Sequence, residues 1–170
     1  LFEAVRSTFG EQATYVEEPA TTVIKSIGNA VINDPEEFCR RCIDVSLEQE
    51  DLASKKAQIM IQDRSLVDTV AYARRDGCEN LIPGLMGLIA AANYSSVFFC
   101  DPVGDYATTE ARHEDQETAM KTHGMLQEAY EDTGMPMIKI PPVSVGARVE
   151  LVLRHVGRVR EQYLMRSLEK

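Results

Sequence analysis

The stretch Ala57-Gln58-Ile59-Met60-Ile61-Gln62-Asp63-Arg64-Ser65 decides how this chain is read. Ala57 to Ile61 predict a buried strand, and the run lands on polar Gln62-Asp63-Arg64-Ser65. A helix is predicted from Ser65 to Arg75, closed by Asp76-Gly77. The same order recurs on either side. Thr14-Tyr15-Val16 is β-prone and ends at Glu17-Glu18-Pro19; Val97-Phe98-Phe99-Cys100 stops at Asp101-Pro102; Met137-Ile138-Lys139-Ile140 stops at Pro141-Pro142. Helical patterns fall between these runs, over Thr21 to Val31, Pro35 to about Lys56, Glu79 to Asn93 and His113 to Asp132. The second has the firmest start, with Asp34 as N-cap, Pro35 at the first helical position and acids in the first turn. Ser144 is expected to cap a final helix with Val145, Val149, Val152 and Val156 on its inner face. Four strands separated by one or two helices each predict an α/β fold, a doubly wound parallel sheet with helices on both faces.

The chain of 170 residues suits one domain, and its 44% hydrophobic and 26% charged residues exclude disordered and collagenous classes. A formal net charge of −9 argues against a general nucleic-acid polymer partner, whose affinity comes from Lys and Arg on phosphates. Only at the end do Arg154, Arg158, Arg160, Arg166 and Lys170 outnumber Glu161 and Glu169. The most apolar stretch, Leu81 to Ala92, is broken by Pro83, Gly84 and Gly87 and falls short of the ~20 residues of a membrane span. Four cysteines are too sparse for a disulfide scaffold, and a cytoplasmic location is expected. Leu1, Phe2, Val5 and Phe9 form one apolar helical stripe with no capping residue ahead of it. The chain is therefore expected to begin inside a helix, as a fragment of a longer protein.

In a parallel sheet, ligands bind beyond the carboxyl ends of the strands. Glu17-Glu18, Asp63-Arg64-Ser65, Asp101-Pro102 and Pro141 to Ser144 stand at those exits. An Asp ending an apolar strand is the hard oxygen ligand that a magnesium-phosphate site needs, although acids there also serve as plain helix caps.

Several segments recur in a familiar order: Glu17-Glu18-Pro19-Ala20, then Gln62-Asp63-Arg64-Ser65, then Tyr106 through Arg112 before a long helix. Pro142-Val143-Ser144-Val145-Gly146-Ala147-Arg148-Val149 follows at the start of the last helix. The series resembles P-loop kinase-like NTPases of the nicotinamide riboside kinase type, the AAA-labelled domain shared by the bifunctional NadR regulator and the insect translocation-defect protein. It covers residues 1–156 and leaves 157–170 as a C-terminal helical extension. In that family a central strand and a loop ending Gly-Lys-Ser/Thr come first, in sheet order 2-3-1-4-5, and Leu1 to Val5 resemble the helix just past that loop. The loop does not occur in these residues. The central first strand is expected to be missing with it, which would leave the strands at 57–62 and 97–100 with unpaired edges, and the chain as given poorly stable or inactive.

The resemblance implies magnesium and ATP (or GTP) as cofactors, with a nucleotide and a small-molecule phosphate acceptor as partners. Asp63 would organise magnesium or the attacking group, with Arg64 beside it. Glu17 or Glu18 would face the acceptor, binding a hydroxyl or serving as base. Arg112 would close over the transferring phosphate, and Pro142, Val143 and Ser144 would line the base. Two functions stay open: a nucleoside-like small-molecule kinase, and a nucleotide-binding regulatory module with little or no catalysis. A decayed paralogue is a third. Related lids often carry more than one arginine, whereas Arg112 stands alone before Glu114-Asp115, which slightly favours the regulatory reading, while the acidic pair Glu17-Glu18, placed where an acceptor would lie, favours the kinase.

Other features read as structural. Cys39-Arg40-Arg41-Cys42 lies inside a predicted helix with no second pair at zinc spacing, so its cysteines are expected in the core and its arginines on the surface. His113, His123 and His155 lack metal-ligand spacing. Met120, Met125, Met135 and Met137 are expected to fill core gaps.

Overall fold

The computed structural model describes residues 1–56, 59–102 and 116–168. Its elements run α1 (Phe2–Phe9), β1 (Thr14–Val16), α2 (Pro19–Ile27), α3 (Pro35–Ser54), β2 (Met60–Gln62), α4 (Leu66–Arg75), α5 (Ile82–Ala91), β3 (Val97–Cys100), α6 (Gln116–Asp132), β4 (Met137–Ile140) and α7 (Val145–Leu168). Asp34 caps α3 by accepting from the Glu37 amide at 3.1 Å. α2 stops four residues short of the expected Val31, because Gly28 turns the chain at φ 85° into a short 3-10 segment.

The doubly wound sheet expected from the strand count is corrected by the strand pairing. β1 pairs with β2 in parallel, with Val16 opposite Gln62, and β3 pairs with β4 in parallel, with Cys100 opposite Ile140. These are two separate two-stranded sheets, and no ladder joins β2 to β3 among the described residues. Apolar periodicity reports which faces are buried. A ladder also requires two backbones about 4.8 Å apart, and that spacing leaves no trace in side-chain pattern.

What unites the two pairs is side-chain packing. One cluster joins Leu66, Val67 and Val70 of α4 to Leu85 and Ile89 of α5, Phe99 of β3 and Leu126, Ala129 and Tyr130 of α6. A second joins Val5 of α1 to Ile140 of β4 and to Val149 and Val152 of α7, with Ile61 and Phe98 packed against it. Phe98 and Phe99 thus serve opposite clusters, the alternation of a strand covered on both faces. Val149 and Val152 take the inner face of α7 as expected, but Val145 is 54% exposed, and Met120 on α6 is 51% exposed instead of filling the core. Cys39 and Cys42 are buried and free, while Arg40 and Arg41 pair with Glu36 and Glu37 on the surface of α3.

Candidate functional site

The register of β1 on β2 brings two strand exits together. The Asp63 amide donates to the Val16 carbonyl at 2.9 Å, continuing the ladder one step past β2 and setting Asp63 beside Glu17-Glu18. Glu18 is the N-cap residue of α2, with Pro19 at the first helical position, and its Oε2 accepts from the Thr21 hydroxyl at 2.7 Å. Glu17 turns away to the surface and pairs with Arg6 of α1, whose guanidinium also lies over the Tyr15 ring.

The next residue is strained. Arg64 adopts φ 71°, a left-handed conformation that costs a non-glycine residue about 1–3 kcal/mol. Its Nη1 donates to Asp68 Oδ1 at 3.0 Å and its Nε stands 3.8 Å from Glu18 Oε1. Asp68 is only 5% exposed, and it also accepts from the Ser65 amide at 2.8 Å while the Ser65 hydroxyl accepts from the Val67 amide at 3.1 Å. The Asp68 amide in turn donates to the Ser65 side chain, and the reciprocal Ser65–Asp68 pair is the capping box that starts α4.

A cavity of about 110 Å³ opens beside this group. Glu18, Pro19 and Ala20 of the β1 exit, Phe38, Cys39 and Cys42 of α3, and Arg64, Asp68, Tyr72, Arg75 and Asp76 of the α4 region line it. Its arginines are engaged by carboxylates: Arg64 by Asp68 and Glu18, and Arg75 by Asp76 at 2.7 Å, with Arg75 stacked over Tyr72. Its thiols are free and buried. Burial pushes Cys39 up to about 11 and Cys42 up to about 12.

Asp63 has a different character. Desolvation raises its carboxyl above the ordinary aspartate range, the Glu18 carboxylate adds to the rise, and Arg64 opposes it. A nearby cation would relieve a carboxyl so placed. No three His, Cys, Asp or Glu among the described residues are grouped to hold a metal. Magnesium bound through one carboxylate, phosphates and water does not require such a group.

Pro142, Val143 and Ser144 lie at the exit of the other strand pair. All three are exposed, and Ser144 Oγ accepts from the Ala147 amide at 3.4 Å, capping α7. One turn on, Arg148 Nε is buried with no hydrogen-bond partner among the described residues. Arg112 and His113 lie outside the described residues. The structure therefore brings Glu18, Asp63 and Arg64 together, sets Glu17 in a surface ion pair and keeps Pro142 to Ser144 at a separate exit. Sequence reasoning missed Asp68 and Tyr130. A Ser-x-x-Asp spacing from Ser65 announces the first, but nothing local announces the second.

Parallel strand pairs flanked by helices make this an α/β protein. Residues 1–148 match the family model described as an AAA domain, and the chain belongs to that family. Neither a curated protein nor a solved structure matches it. No helix among the described residues is long and apolar enough to cross a membrane.

Proposed function

We propose that the protein is a nucleotide-binding module that takes Mg-ATP or Mg-GTP, performs little or no phosphoryl transfer and works through partners. One observation carries this reading: the arginines lining the cavity are already engaged by carboxylates, Arg64 by Asp68 and Glu18 and Arg75 by Asp76. Phosphoryl transfer is accelerated by cations aimed at charge that develops on the transferring oxygens. A guanidinium held by its own carboxylates contributes less of that stabilisation. Asp63 would hold the magnesium, and Pro142, Val143 and Ser144 would flank the base.

A second reading, a small-molecule kinase resembling the nicotinamide riboside type, is favoured by the meeting of Glu18 and Asp63 at adjoining exits beside the cavity. There Glu18 would face the acceptor hydroxyl, and Arg112 would supply the cation that the cavity withholds.

Calorimetric titration of the intact protein with Mg-ATP and Mg-GTP, beside a coupled assay against nucleosides and sugars, separates the two. The expected result is nucleotide binding that Asp63→Asn weakens, with no acceptor-dependent consumption. Acceptor-dependent turnover would establish the kinase reading instead, and failure to bind either nucleotide would defeat both.

A further inference from the structure

Tyr130 of α6 lies 62 residues from Asp68, yet its hydroxyl donates to Asp68 Oδ2 at 2.5 Å, and the two are buried together. The Ser65 hydroxyl stands 3.0 Å from the Tyr130 oxygen. Tyr130 commits its proton to the carboxylate, and the single Ser65 hydroxyl proton faces both the Tyr130 oxygen and Asp68 Oδ2, the latter at 3.4 Å. Burial and the Asp68 charge hold the phenol well above its ordinary pKa, which keeps that proton in place.

The two oxygens of Asp68 are thereby divided. Oδ2 is taken by the Ser65 amide and the Tyr130 hydroxyl, which orient the carboxylate, and Oδ1 is left facing the Arg64 guanidinium. Asp68 thus grips the strained residue from both sides, by the amide that follows it and by its own side-chain tip. We infer that Asp68 and Tyr130 are positioning residues, which lock Arg64 in its left-handed conformation and set its guanidinium in the cavity wall beside Glu18. The inference deepens the proposed function, because it treats Arg64 as part of that ligand site. It also makes α6 a support of the site, although the cavity wall itself comes from the β1 exit, α3 and the α4 region.

The test reads Arg64 directly. The side-chain Nε–H of Arg64 is observable by ¹⁵N NMR and can be assigned by its disappearance in Arg64→Lys. In the wild-type protein it is expected to be ordered, and in Tyr130→Phe to fall below about 0.6 on the order-parameter scale with the amide spectrum otherwise preserved. If Arg64 stays ordered in Tyr130→Phe, the inference is overturned, and Asp68→Asn provides a second variant if it folds. If Arg64 loses order while the wild-type protein binds no nucleotide, the positioning role stands and the nucleotide-binding reading fails.

Discussion

The hydroxyl of Tyr94, in the segment leading into β3, donates a 2.7 Å hydrogen bond to the carboxylate of Glu50 on α3. The bond ties a β3 approach to a helix that belongs to the other strand pair, and both groups are partly buried. Burial, then Glu50, keeps the phenol far above its ordinary pKa, so the bond persists through neutral pH. Tyr94→Phe leaves a half-desolvated carboxylate without its donor and is expected to cost about 1–2 kcal/mol. Urea denaturation checks this; an unchanged midpoint would show that the bond contributes nothing to joining the two halves.

Leu66 opens α4 with no exposed surface, inside the cluster shared by α5, β3 and α6. Leu66→Ala removes buried methyl groups from a site walled by three other elements and should cost about 2–5 kcal/mol, measured by the same denaturation. A loss below about 1 kcal/mol would mean that the cluster is not packed as described.

Asp63→Asn should have the opposite sign. An acid whose folded pKa is raised contributes stability below its unfolded pKa and loses it as the pH rises through the folded value. The wild-type carboxyl ionises against that penalty, so at neutral pH the amide should raise the melting temperature slightly, by less than about 1 kcal/mol in stability because solvent screens the site. The gain should vanish as the pH falls below the ordinary aspartate range. A loss of stability at pH 7 would contradict the crowding of Asp63 by Glu18.

His123 packs 4.6 Å from the Phe99 ring, and burial lowers its pKa, with Lys139 adding to the fall and Asp101 opposing it. A base so depressed contributes stability above its unfolded pKa, lost as the pH drops through the folded value. His123→Leu should therefore flatten the acid side of the stability profile below about pH 6.5. Melting curves across the acid range read this out, and an unchanged slope would reject it.

Cys39 and Cys42 face the cavity as buried, protonated thiols. Iodoacetamide should leave both unmodified in the native protein at pH 8 and alkylate them once urea unfolds it, as mass spectrometry would show. Native labelling at either position would mean that the α3 wall opens.

The alternation of apolar runs and caps determined, from the sequence alone, that Thr14–Val16, Val97–Cys100 and Met137–Ile140 are strands, and Asp34 announced α3 by itself. Such signals are local, because a strand or helix repeats within a few residues and a cap acts within one turn. The strand exits also pointed to Glu18, Asp63 and Arg64, which the register of β1 on β2 sets side by side. Only the tertiary structure decided that Glu17 is held by Arg6 and that Tyr130 reaches Asp68 across 62 residues. Each of those depends on where separate elements come to rest against one another, which packing of whole surfaces determines and no short window of sequence contains.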